Sequence, residues 1–370
     1  MATSFLNEPS KRRRRRTIFD TAASALWRIP GRFEIASILG RSYALRCVVF
    51  HHVAETDSEF TRGMGVTITP ARLERTLRFL ATYYHPVSLQ DVLGQSDGHA
   101  LPSRSVLVTF DDGYASVMES AIPLCRRLGI PTVLFLNAAF LNNQRLAPDN
   151  LVCYVANTFG MALLNAAAQS VRGKDTPTLV TQADVFARFF PSISLFEREE
   201  FLKVLIRLGR INERQVAVAA GLYLTSEQVR ELSASDVEIG NHTHSHVHCR
   251  NLSEGHFSVE IDRNKVELEA ISSKPVRSFS VPYGSSADLS VELRDHLLGS
   301  GHDLIFLSQA VSNPSRPDQV CVDRVGPRAH SNDTLFAELE LLPRLRKVRN
   351  WMSGRHTSPP VISCQLGLIR

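Results

Sequence analysis

The sequence predicts an α/β fold whose parallel strands form a barrel, and three observations support this prediction. Apolar runs of six or seven residues alternate with stretches of helical periodicity, which is typical of parallel strands joined by crossover helices. Seven such runs occur, and seven strands are enough to close a barrel. The length of 370 residues, 44% hydrophobic and 21% charged, suits one barrel-sized domain or two smaller ones and excludes a disordered chain, a collagen and a small disulfide scaffold.

The predicted strands are compact apolar runs separated by helical segments. In chain order they are 47–53, 105–110, 131–137, 237–242, 276–282, 303–308 and 319–325. After the first strand, Leu73, Leu77 and Leu80 recur on one face of a helix, and another helix is expected around 116–128. The stretch from 142 to about 222 carries mainly helical patterns, so we expect a helical insertion between a strand and the next βα unit.

The charge of the chain is concentrated at its beginning. The sequence has 42 basic and 37 acidic residues, and the run from Lys11 to Arg16 supplies six of the positive charges. Without that run, 36 basic residues face 37 acidic ones, a net charge of minus one. The chain is therefore a near-neutral body with a basic head, and the overall charge says little about the partners of the body.

The segment after the basic run has the pattern of an amphipathic helix that Pro30 ends. Apolar residues recur at helical spacing from Ile18 to Ile29, next to six basic side chains. Such a helix can lie on an anionic membrane surface, or it can pack on the body beside a solvated arm, and both interpretations stay open. Nucleic-acid binding is not expected, because no nucleic-acid module follows the arginines.

The location of the protein is predicted from its segments and its cysteines. The sequence contains no pattern of a secretory signal or a membrane span, so we expect a cytoplasmic protein, and the open membrane-surface interpretation of the arm would place it at the inner membrane face. The six cysteines show neither zinc-ribbon nor redox-motif spacing, and we expect buried, reduced thiols.

Two clusters of polar residues follow predicted strands, where parallel α/β folds gather their functional groups. In the first, Asp111, Asp112 and Gly113 come directly after the strand 105–110. Because side chains alternate along a strand, the two carboxylates are expected to point differently, one binding a cation and the other acting as a base. A turn-forming role is the alternative.

The second cluster is a loop with four histidines, His242, His244, His246 and His248. Imidazole and carboxylate groups bind divalent metals such as zinc, and a catalytic site keeps an open position for water. Residues four apart share a face if the loop turns helically, so spacing alone allows either pair of histidines, and a polar surface loop is a further alternative. A third fragment, 276–284, ends in Pro-Tyr-Gly, a turn that can direct a backbone N–H into a site.

Together these fragments resemble the polysaccharide deacetylase family, carbohydrate esterase family 4, with its nodulation-factor deacetylase (NodB) homology domain. The matching pieces are VTFDDGYASV, IPTVLFLN, LTSEQVRELSASDVEIGNHTHSH and SFSVPYG, which occur in the order of the family. The resemblance implies a distorted (β/α) barrel of the polysaccharide deacetylase type, here with a helical insertion. It also implies a metal-dependent hydrolase that removes acetyl groups from sugars.

The resemblance assigns roles residue by residue. It implies metal ligation by Asp112, His242 and His246, with zinc as the metal and cobalt or nickel as alternatives, and it implies that Asp111 is the base. It leaves His244 and His248 outside the ligand set, as surface residues. The backbone N–H of Tyr283 is expected to stabilise the oxyanion.

The sequence departs from the family pattern at two places. The arginine that often precedes the Pro-Tyr pair is replaced by Ser280, and no late Leu-x-His motif supplies the acid. One branch of the family has its acid histidine on the first strand, a position that His51 occupies here, with His330 in reserve. Arg324 is expected to take over the orientation of Asp111, or else to form an ordinary structural ion pair.

The sequence predicts three parts of the chain and one class of substrate. Residues 1–45 form a basic, amphipathic arm, 46–330 the deacetylase-like barrel with its insertion at 142–222, and 331–370 a C-terminal helix and tail. The substrate is expected to be an N-acetylated or O-acetylated polysaccharide or glycan precursor in exopolysaccharide biosynthesis. The alternative is a catalytically inactive member of the fold that binds saccharide or acts in assembly at the membrane surface.

Overall fold

Strands and helices alternate along most of the chain. The computed structural model describes residues 24, 25, 27–32, 45–94, 99–174, 176–310, 313, 320–327 and 331–343. The strands are β1 (Leu45–Phe50), β2 (His52–Val53), β3 (Thr67–Ile68), β4 (His85–Pro86), β5 (Ser105–Phe110), β6 (Thr132–Leu136), β7 (Val237–Asn241), β8 (Ser278–Ser280), β9 (Leu304–Leu307) and β10 (Cys321–Asp323). The α-helices of five or more residues are α1 (Pro70–Tyr83), α2 (Leu89–Leu93), α3 (Ile122–Arg127), α4 (Pro148–Phe159), α5 (Met161–Arg172), α6 (Leu195–Gly209), α7 (Glu213–Ala220), α8 (Ser226–Ala234), α9 (Arg263–Ser272), α10 (Val291–Gly299) and α11 (Asn332–Phe336).

The main sheet is parallel and its strands follow chain order. Its strand order is β1, β5, β6, β7, β8, β9 and β10, with β4 added beside the start of β5. Beyond β10, Val325 pairs with Val48 of β1, and the Val325 amide donates to the Cys47 carbonyl oxygen at 2.9 Å. This contact joins the two ends of the sheet, so the predicted (β/α) barrel is confirmed. The short strands β2 and β3 pair in a separate sheet that the sequence did not indicate.

The buried apolar side chains of the strands belong to three clusters, and the third joins Phe279 of β8 and Ile305 and Leu307 of β9 to helix α10. One face of the strands contributes a cluster of its own, made of Leu45, Cys47, Leu107, Val133, Phe135, Leu304, Phe306 and Val322 with residues near α2. The other face of β5 packs with the helices in the largest cluster, through Val106, Val108 and Phe110. The cluster that contains Phe135 and Phe306 fills the barrel interior. Toward the carboxyl ends of the strands, the inward-facing side chains are polar.

The interior is closely packed at Gly240 in β7. A Cβ atom at this position would lie 2.4 Å from two ring carbons of Phe135, which is closer than real contacts allow. The ring centroid of Phe135 lies 5.1 Å from that of Phe306, so the two aromatic side chains fill the barrel below the polar residues. Glycine at 240 is therefore required by the close approach of a strand to a core side chain.

Helix α1 shows how local sequence sets the elements around the barrel. Thr69 caps the helix by accepting a hydrogen bond from the Arg72 amide, and Pro70 fits the first turn, where a missing N–H costs nothing. The predicted apolar face of this helix is buried. The helix predicted around 116–128 is divided into a wider π-helical turn, Val117–Ala121, followed by α3.

Helices α4 to α7 lie between β6 and β7, in the stretch 142–222 that is called the insertion below. Its core contains Phe189 and Phe201, which are buried and have ring centroids 5.1 Å apart. Ser194 caps α6 in a reciprocal capping box with Glu197. The helical character that the sequence predicts for this stretch agrees with the structure.

Part of the N-terminal arm packs on the body. The ring centroid of Trp27 lies 5.9 Å from that of Phe79 in α1 and 5.9 Å from that of Phe336 in α11, and the Arg32 guanidinium lies 3.8 Å from the Trp27 centroid. The described part of the arm thus agrees with the interpretation in which its helix packs on the body. The basic run Lys11 to Arg16 and most of the predicted C-terminal helix and tail lie outside the described residues.

The cysteines and the helices of the described residues were compared with the expected reduced thiols and the expected lack of a membrane span. Of the cysteines in the described part of the chain, Cys47, Cys125, Cys153 and Cys249 are buried, Cys321 is half-buried, and all are free thiols. Among the described residues, no helix combines the length and the apolar character needed to cross a bilayer.

A buried polar network supports the end of β7. The Asn241 Oδ1 atom accepts from the Thr243 amide at 3.0 Å and from Asn264 Nδ2 at 2.7 Å, so the Asn241 Nδ2 atom must donate. This atom lies 3.1 Å from Nε2 of His302, which must therefore accept, while the His302 Nδ1 atom faces the Leu297 carbonyl oxygen at 3.3 Å. A neutral imidazole satisfies both contacts, whereas a second proton would face another donor.

The free energy of unfolding should therefore decrease as the pH is lowered, and His302 should account for part of this decrease. Burial, with a smaller contribution from Lys265, lowers the pKa of this histidine from 6.5 to about 3. Below pH 6.5 the unfolded chain binds the proton and the folded one does not, so the free energy of unfolding falls by about 2 kcal/mol from this group between pH 7 and pH 5. Denaturant unfolding at both pH values should show this loss in the wild type and a shallower pH dependence in His302→Gln. Equal pH dependence in the two proteins would contradict the assignment.

Candidate metal centre

The two aspartates at the end of β5 both reach the same cavity. The side chain of Asp111 points inward, like those of alternate residues in β5, and it is 3% exposed. Asp112 would point outward if the strand continued, but its backbone adopts a φ of 70°, and its side chain turns back to line the cavity. The expectation that alternation separates the two carboxylates is therefore wrong, because a left-handed residue ends the strand. Gly113, also at positive φ, continues the turn.

Three side chains present metal-ligating atoms to one point. The Nε2 atoms of His242 and His246 each lie 3.4 Å from Oδ1 of Asp112, and the ligand atoms of the three residues all lie within 4.8 Å of one another. Two imidazole nitrogens and a carboxylate oxygen form a donor set that suits zinc and related divalent metals. These three residues are the ones that the family resemblance implies as ligands.

The loop after β7 brings the two histidines together without forming a helix. The His242 amide donates to the Leu136 carbonyl oxygen of β6 at 3.1 Å, which fixes the start of the loop. Thr243 and His246 adopt φ values of 61° and 52°, and residues 242–248 contain no helical turn. Two left-handed backbone positions therefore bring the two histidine side chains, four residues apart, to the same point. The prediction that a helical turn would place them on one face is wrong. Strained positions of this kind concentrate at functional sites.

Each of these two histidines has its other ring nitrogen fixed by a partner. The Nδ1 atom of His242 lies 2.7 Å from the Ser280 carbonyl oxygen, and the Nδ1 atom of His246 lies 3.0 Å from Oδ2 of Asp149. Both partners are acceptors, so Nδ1 carries the proton and Nε2 presents its lone pair to the space beside Asp112. This tautomer is the one that a metal ligand needs.

Arg324 makes a bidentate ion pair with Asp111. Its Nη1 donates to Oδ1 and its Nη2 to Oδ2, each at 2.7 Å, and both side chains are buried. The same guanidinium donates to the Ser280 hydroxyl at 2.7 Å and to the Thr109 hydroxyl at 3.1 Å. Burial alone would raise the pKa of Asp111, but the charge and hydrogen bonds of Arg324, together with contributions from neighbouring histidines, outweigh it, and the pKa is lowered. Asp111 is therefore ionised and held in one orientation.

His51 and His52 point in different directions, as strand alternation requires. His51 lines the cavity with Asp111 and Asp112, whereas the His52 Nδ1 atom lies 3.1 Å from the Thr67 hydroxyl in β3. Burial lowers the pKa of His51, although Asp112 and Asp111 partly oppose this effect. A lowered pKa makes the imidazolium a stronger acid, and it also means that less of it carries the proton at neutral pH.

The reserve candidate for the acid, His330, lies outside the described residues. The choice of His51 over His330 therefore stays a prediction.

Tyr283 enters the site with its side chain as well as its backbone. Its φ of 61° belongs to the Pro-Tyr-Gly turn, and its hydroxyl donates to Oδ1 of Asp149 at 2.9 Å. The ring stacks on His248, with centroids 3.6 Å apart and planes 8° apart. The next residue, Gly284, has no room for a Cβ atom, which would lie 2.6 Å from the Ser308 amide nitrogen.

The two remaining histidines of the loop lie outside the ligand set. Nε2 of His244 lies 3.5 Å from the Glu267 carboxylate, and this histidine is half-buried. His248 is buried, with its Nε2 atom 3.1 Å from the Phe186 carbonyl oxygen. The expectation that both are surface residues is wrong for His248, because the insertion covers it.

Sequence reasoning did not identify the residues that the insertion brings to the site. Asp149 is a first-turn acid of α4, and Arg198 is one of several charged residues in α6, so neither has a sequence signal of its own. In the structure Asp149 contacts His246, and Arg198 donates to the carbonyl oxygens of Ser245 at 2.8 Å and His246 at 3.1 Å. Both side chains are buried.

The candidate centre lies in a cavity of about 600 Å³ at the carboxyl ends of the strands. The segment before β3, the insertion and the C-terminal segment contribute to its walls through Val66, Phe186 and Glu338. A cavity of this size has room for a sugar residue together with its acetyl group.

The residues fit a divalent metal. The Asp112 Oδ1 atom is buried and has no hydrogen-bond partner within the described part of the chain, although it faces two imidazole nitrogens. A buried carboxylate oxygen without a partner costs free energy that a bound cation would offset. The type of the three donor atoms, the buried Asp112 oxygen without a partner and the hydrogen-bonded Nδ1 atoms of the two histidines are each what a divalent-metal site requires.

Fold and site together define an α/β-barrel protein with a two-histidine, one-aspartate centre at the carboxyl ends of its strands. Residues 98–297 match the polysaccharide deacetylase family, and this stretch is more than half of the 370 residues. The chain belongs to the polysaccharide deacetylase family, and the predicted membership is confirmed.

Solved structures with a similar fold include deacetylases. The deacetylase PplD of Streptococcus pyogenes, solved in complex with acetate, is 12% identical with a TM-score of 0.53, and the match covers 81% of this chain and 99% of that one. A de-N-acetylase of Aggregatibacter actinomycetemcomitans is 17% identical with a TM-score of 0.51, and the match covers 78% and 98%. At these identities the likeness concerns the fold. Comparison with curated protein sequences finds no match.

The buried ion pair should make the folded state depend strongly on Arg324. In Arg324→Met, Asp111 keeps a buried charge without its partner, and we expect the free energy of unfolding to fall by about 3–5 kcal/mol. Urea unfolding of the metal-free protein measures this loss. Arg324→Met combined with Asp111→Asn should recover part of it, because the unpaired charge is gone.

Arg126→Met is the matched control. Arg126 pairs with Asp236 at 3.0 Å, but both side chains are largely exposed, at 42% and 55%. Such surface pairs contribute about 0–1 kcal/mol. Equal losses in the Arg324 and Arg126 variants would contradict the importance assigned to the buried pair.

Proposed function

We propose that this protein is a metal-dependent deacetylase that hydrolyses acetyl groups of an N-acetylated or O-acetylated polysaccharide or glycan precursor. The observation that carries the proposal is the buried Oδ1 atom of Asp112, which has no hydrogen-bond partner among the described residues and lies 3.4 Å from Nε2 of both His242 and His246. Family membership supports the reaction class. Zinc is the proposed metal, with cobalt or nickel as alternatives.

Asp112, His242 and His246 would hold the metal. When bound there, a divalent ion supplies Lewis-acid chemistry, by lowering the pKa of a water ligand and by polarising the acetyl carbonyl. The Nδ1–H groups of the two histidines keep their acceptors, the Ser280 carbonyl and the Asp149 carboxylate, so the rings stay oriented.

Asp111 is the proposed base. Arg324 holds its carboxylate ionised and oriented, and its Oδ2 atom lies 3.8 Å from Nε2 of His242, beside the ligand set. In this position Asp111 accepts a proton from the attacking water as the water oxygen bonds to the acetyl carbon. Arg324, whose proposed role is exerted through Asp111, is a positioning residue.

His51 and Tyr283 complete the proposed reaction. The backbone N–H of Tyr283 would donate to the oxyanion of the tetrahedral intermediate, and His51 would protonate the departing sugar nitrogen or oxygen. The C–N or C–O bond of the acetyl group breaks, and acetate and a free amine or hydroxyl result. We assign the acid to His51 rather than His52 because His51 lines the cavity while His52 contacts Thr67.

Acetate release tests the proposal. The wild type should release acetate from chitooligosaccharides or acetylated exopolysaccharide when Zn²⁺, Co²⁺ or Ni²⁺ is added. We expect Asp111→Asn to keep stoichiometric metal and to lose about 10²–10⁴-fold in rate, since the general base is gone. Asp112→Ala should lose the metal itself, as measured by metal analysis after gel filtration. Asp236→Asn, at an exposed position, is the control for both.

The same assay separates the alternative, a catalytically inactive saccharide-binding or assembly protein. Ser280 in place of the usual arginine and the absent Leu-x-His motif favour that alternative. Stoichiometric metal and saccharide binding, without acetate release from any of these substrates, would select it. Full activity in Asp111→Asn would remove the base assignment instead.

We further propose that the basic run Lys11 to Arg16 holds the enzyme at the inner face of a cytoplasmic membrane, where glycan precursors for exopolysaccharide are assembled. Because Trp27 packs on the body, the attraction would come from the charges of the run, at about 1 kcal/mol for each basic residue near an anionic surface. The rest of the chain has a net charge of minus one, so its net charge does not attract it to an anionic membrane surface.

Flotation with vesicles that contain anionic lipid tests this location. We expect the full chain to float at low salt and to stay in solution at high salt, because salt screens surface charges. A chain lacking residues 1–16 should stay in solution at both salt concentrations and keep its deacetylase activity. Salt-resistant flotation of the shortened chain would overturn the proposal.

A further inference from the structure

The insertion supplies a carboxylate that touches a proposed metal ligand. Asp149, in the first turn of α4, has its Oδ2 atom 3.0 Å from Nδ1 of His246. The hydroxyl of Tyr283 donates to the same carboxylate, at 2.9 Å from Oδ1 and 3.1 Å from Oδ2. Both neighbours are donors, so an ionised Asp149 satisfies both at once.

We propose that Asp149 is a positioning residue for the metal centre, and that the insertion thereby determines how tightly the protein binds its metal. The inference rests on the proposed function in that Asp112, His242 and His246 hold the metal. Asp149 does not bind the ion itself. It fixes the ring of His246 and raises the basicity of Nε2, which strengthens a metal–imidazole bond.

The two histidine ligands differ in their support. His242 donates to the backbone carbonyl of Ser280 in the barrel strand β8, whereas His246 donates to a charged carboxylate from the insertion. A hydrogen bond to a charged acceptor is stronger than one to a neutral acceptor. His246 also needs more support, because its backbone has a φ of 52° and it lies within a loop rather than at a strand end. The barrel therefore orients one histidine ligand, His242, and the insertion orients the other, His246.

Further contacts join the insertion to the histidine loop. The buried guanidinium of Arg198 donates to the carbonyl oxygens of two consecutive residues, Ser245 and His246. In the short helical turn that follows the loop, the Nδ2 atom of Asn251 donates to the carbonyl oxygens of Phe190 at 3.0 Å and Ile193 at 2.9 Å. The loop is thus clamped to the insertion at several points, and Asp149 is the point at which this clamp reaches a ligand side chain.

Metal affinity is the direct test. Titration calorimetry with Zn²⁺ and with Co²⁺ should show binding to Asp149→Asn that is about 10–100-fold weaker than binding to the wild type, because the amide keeps the shape but loses the charge. Asp149→Glu, which restores a carboxylate, should recover part of the affinity. The visible spectrum of the Co²⁺ form should also change in Asp149→Asn, since the His246 ring is less firmly oriented.

Asp184→Asn is the matched control in the same insertion. The Asp184 carboxylate accepts from the amides of Val180 and Thr181, at 2.9 Å each, and so caps a helical turn rather than supporting a histidine. The identical chemical change there should leave metal affinity and the Co²⁺ spectrum unaltered. Equal affinities in the wild type, Asp149→Asn and Asp184→Asn would overturn the inference.

Two further measurements keep the inference testable if Asp149→Asn does not fold. Tyr283→Phe keeps the ring on His248 and removes the hydroxyl bond to Asp149, so we expect a smaller loss of metal affinity. In the wild type, adding Zn²⁺ should slow amide hydrogen exchange in α4, because the ion orders Asp149 through His246. Unchanged exchange in α4 on saturation with metal would overturn the coupling.

The outcomes separate this inference from the proposed function. If Asp149→Asn weakens metal binding but the wild type never releases acetate, the positioning role stands and the enzymatic proposal fails. If the wild type is an active deacetylase and Asp149→Asn binds metal as tightly as it does, the function stands and the positioning role fails.

Discussion

The ion pair between Arg324 and Asp111 is the interaction on which the site depends. Arg324 follows β10 directly and precedes Val325, which joins the sheet to β1, so the partner of Asp111 lies at the seam of the barrel. Its guanidinium reaches Asp111 at the end of β5 and Ser280 at the end of β8, which links three parts of the ring across the interior. A charge buried this deeply is tolerated because its partners are in place. The segment that closes the barrel therefore also supplies the residue that orients the proposed base.

Much of the barrel could be predicted from the sequence, because its signals are local. The strand 105–110 lies where it was expected, and each of the other six predicted strands overlaps an observed one, since parallel strands buried on both faces are continuous apolar runs. Strict alternation also separates His51 from His52 once the strand is known. The two-residue strands β3 and β4 have no such signal, because they are too short to carry a pattern.

The geometry of the site could be predicted only in part, and the reason lies in the backbone. Left-handed conformations at Asp112, Thr243, His246 and Tyr283 bring side chains to places that neither strand nor helix periodicity reaches, and none of these residues is a glycine that would mark the turn. Family motifs could point to Asp112 and His246 without this geometry. Asp149 could not be found in either way, because it lies in the insertion, outside those motifs, and meets His246 through tertiary packing.

The aromatic filling of the barrel has a consequence for the order of events at the site. Phe135, held against Gly240, and Phe306 occupy the interior below the polar residues, so the barrel is no passage from one end to the other. If the protein is the proposed deacetylase, a glycan and the acetate cut from it would use the same mouth at the carboxyl ends of the strands. Free acetate would then compete with incoming substrate for the space beside Asp112 and the two histidines.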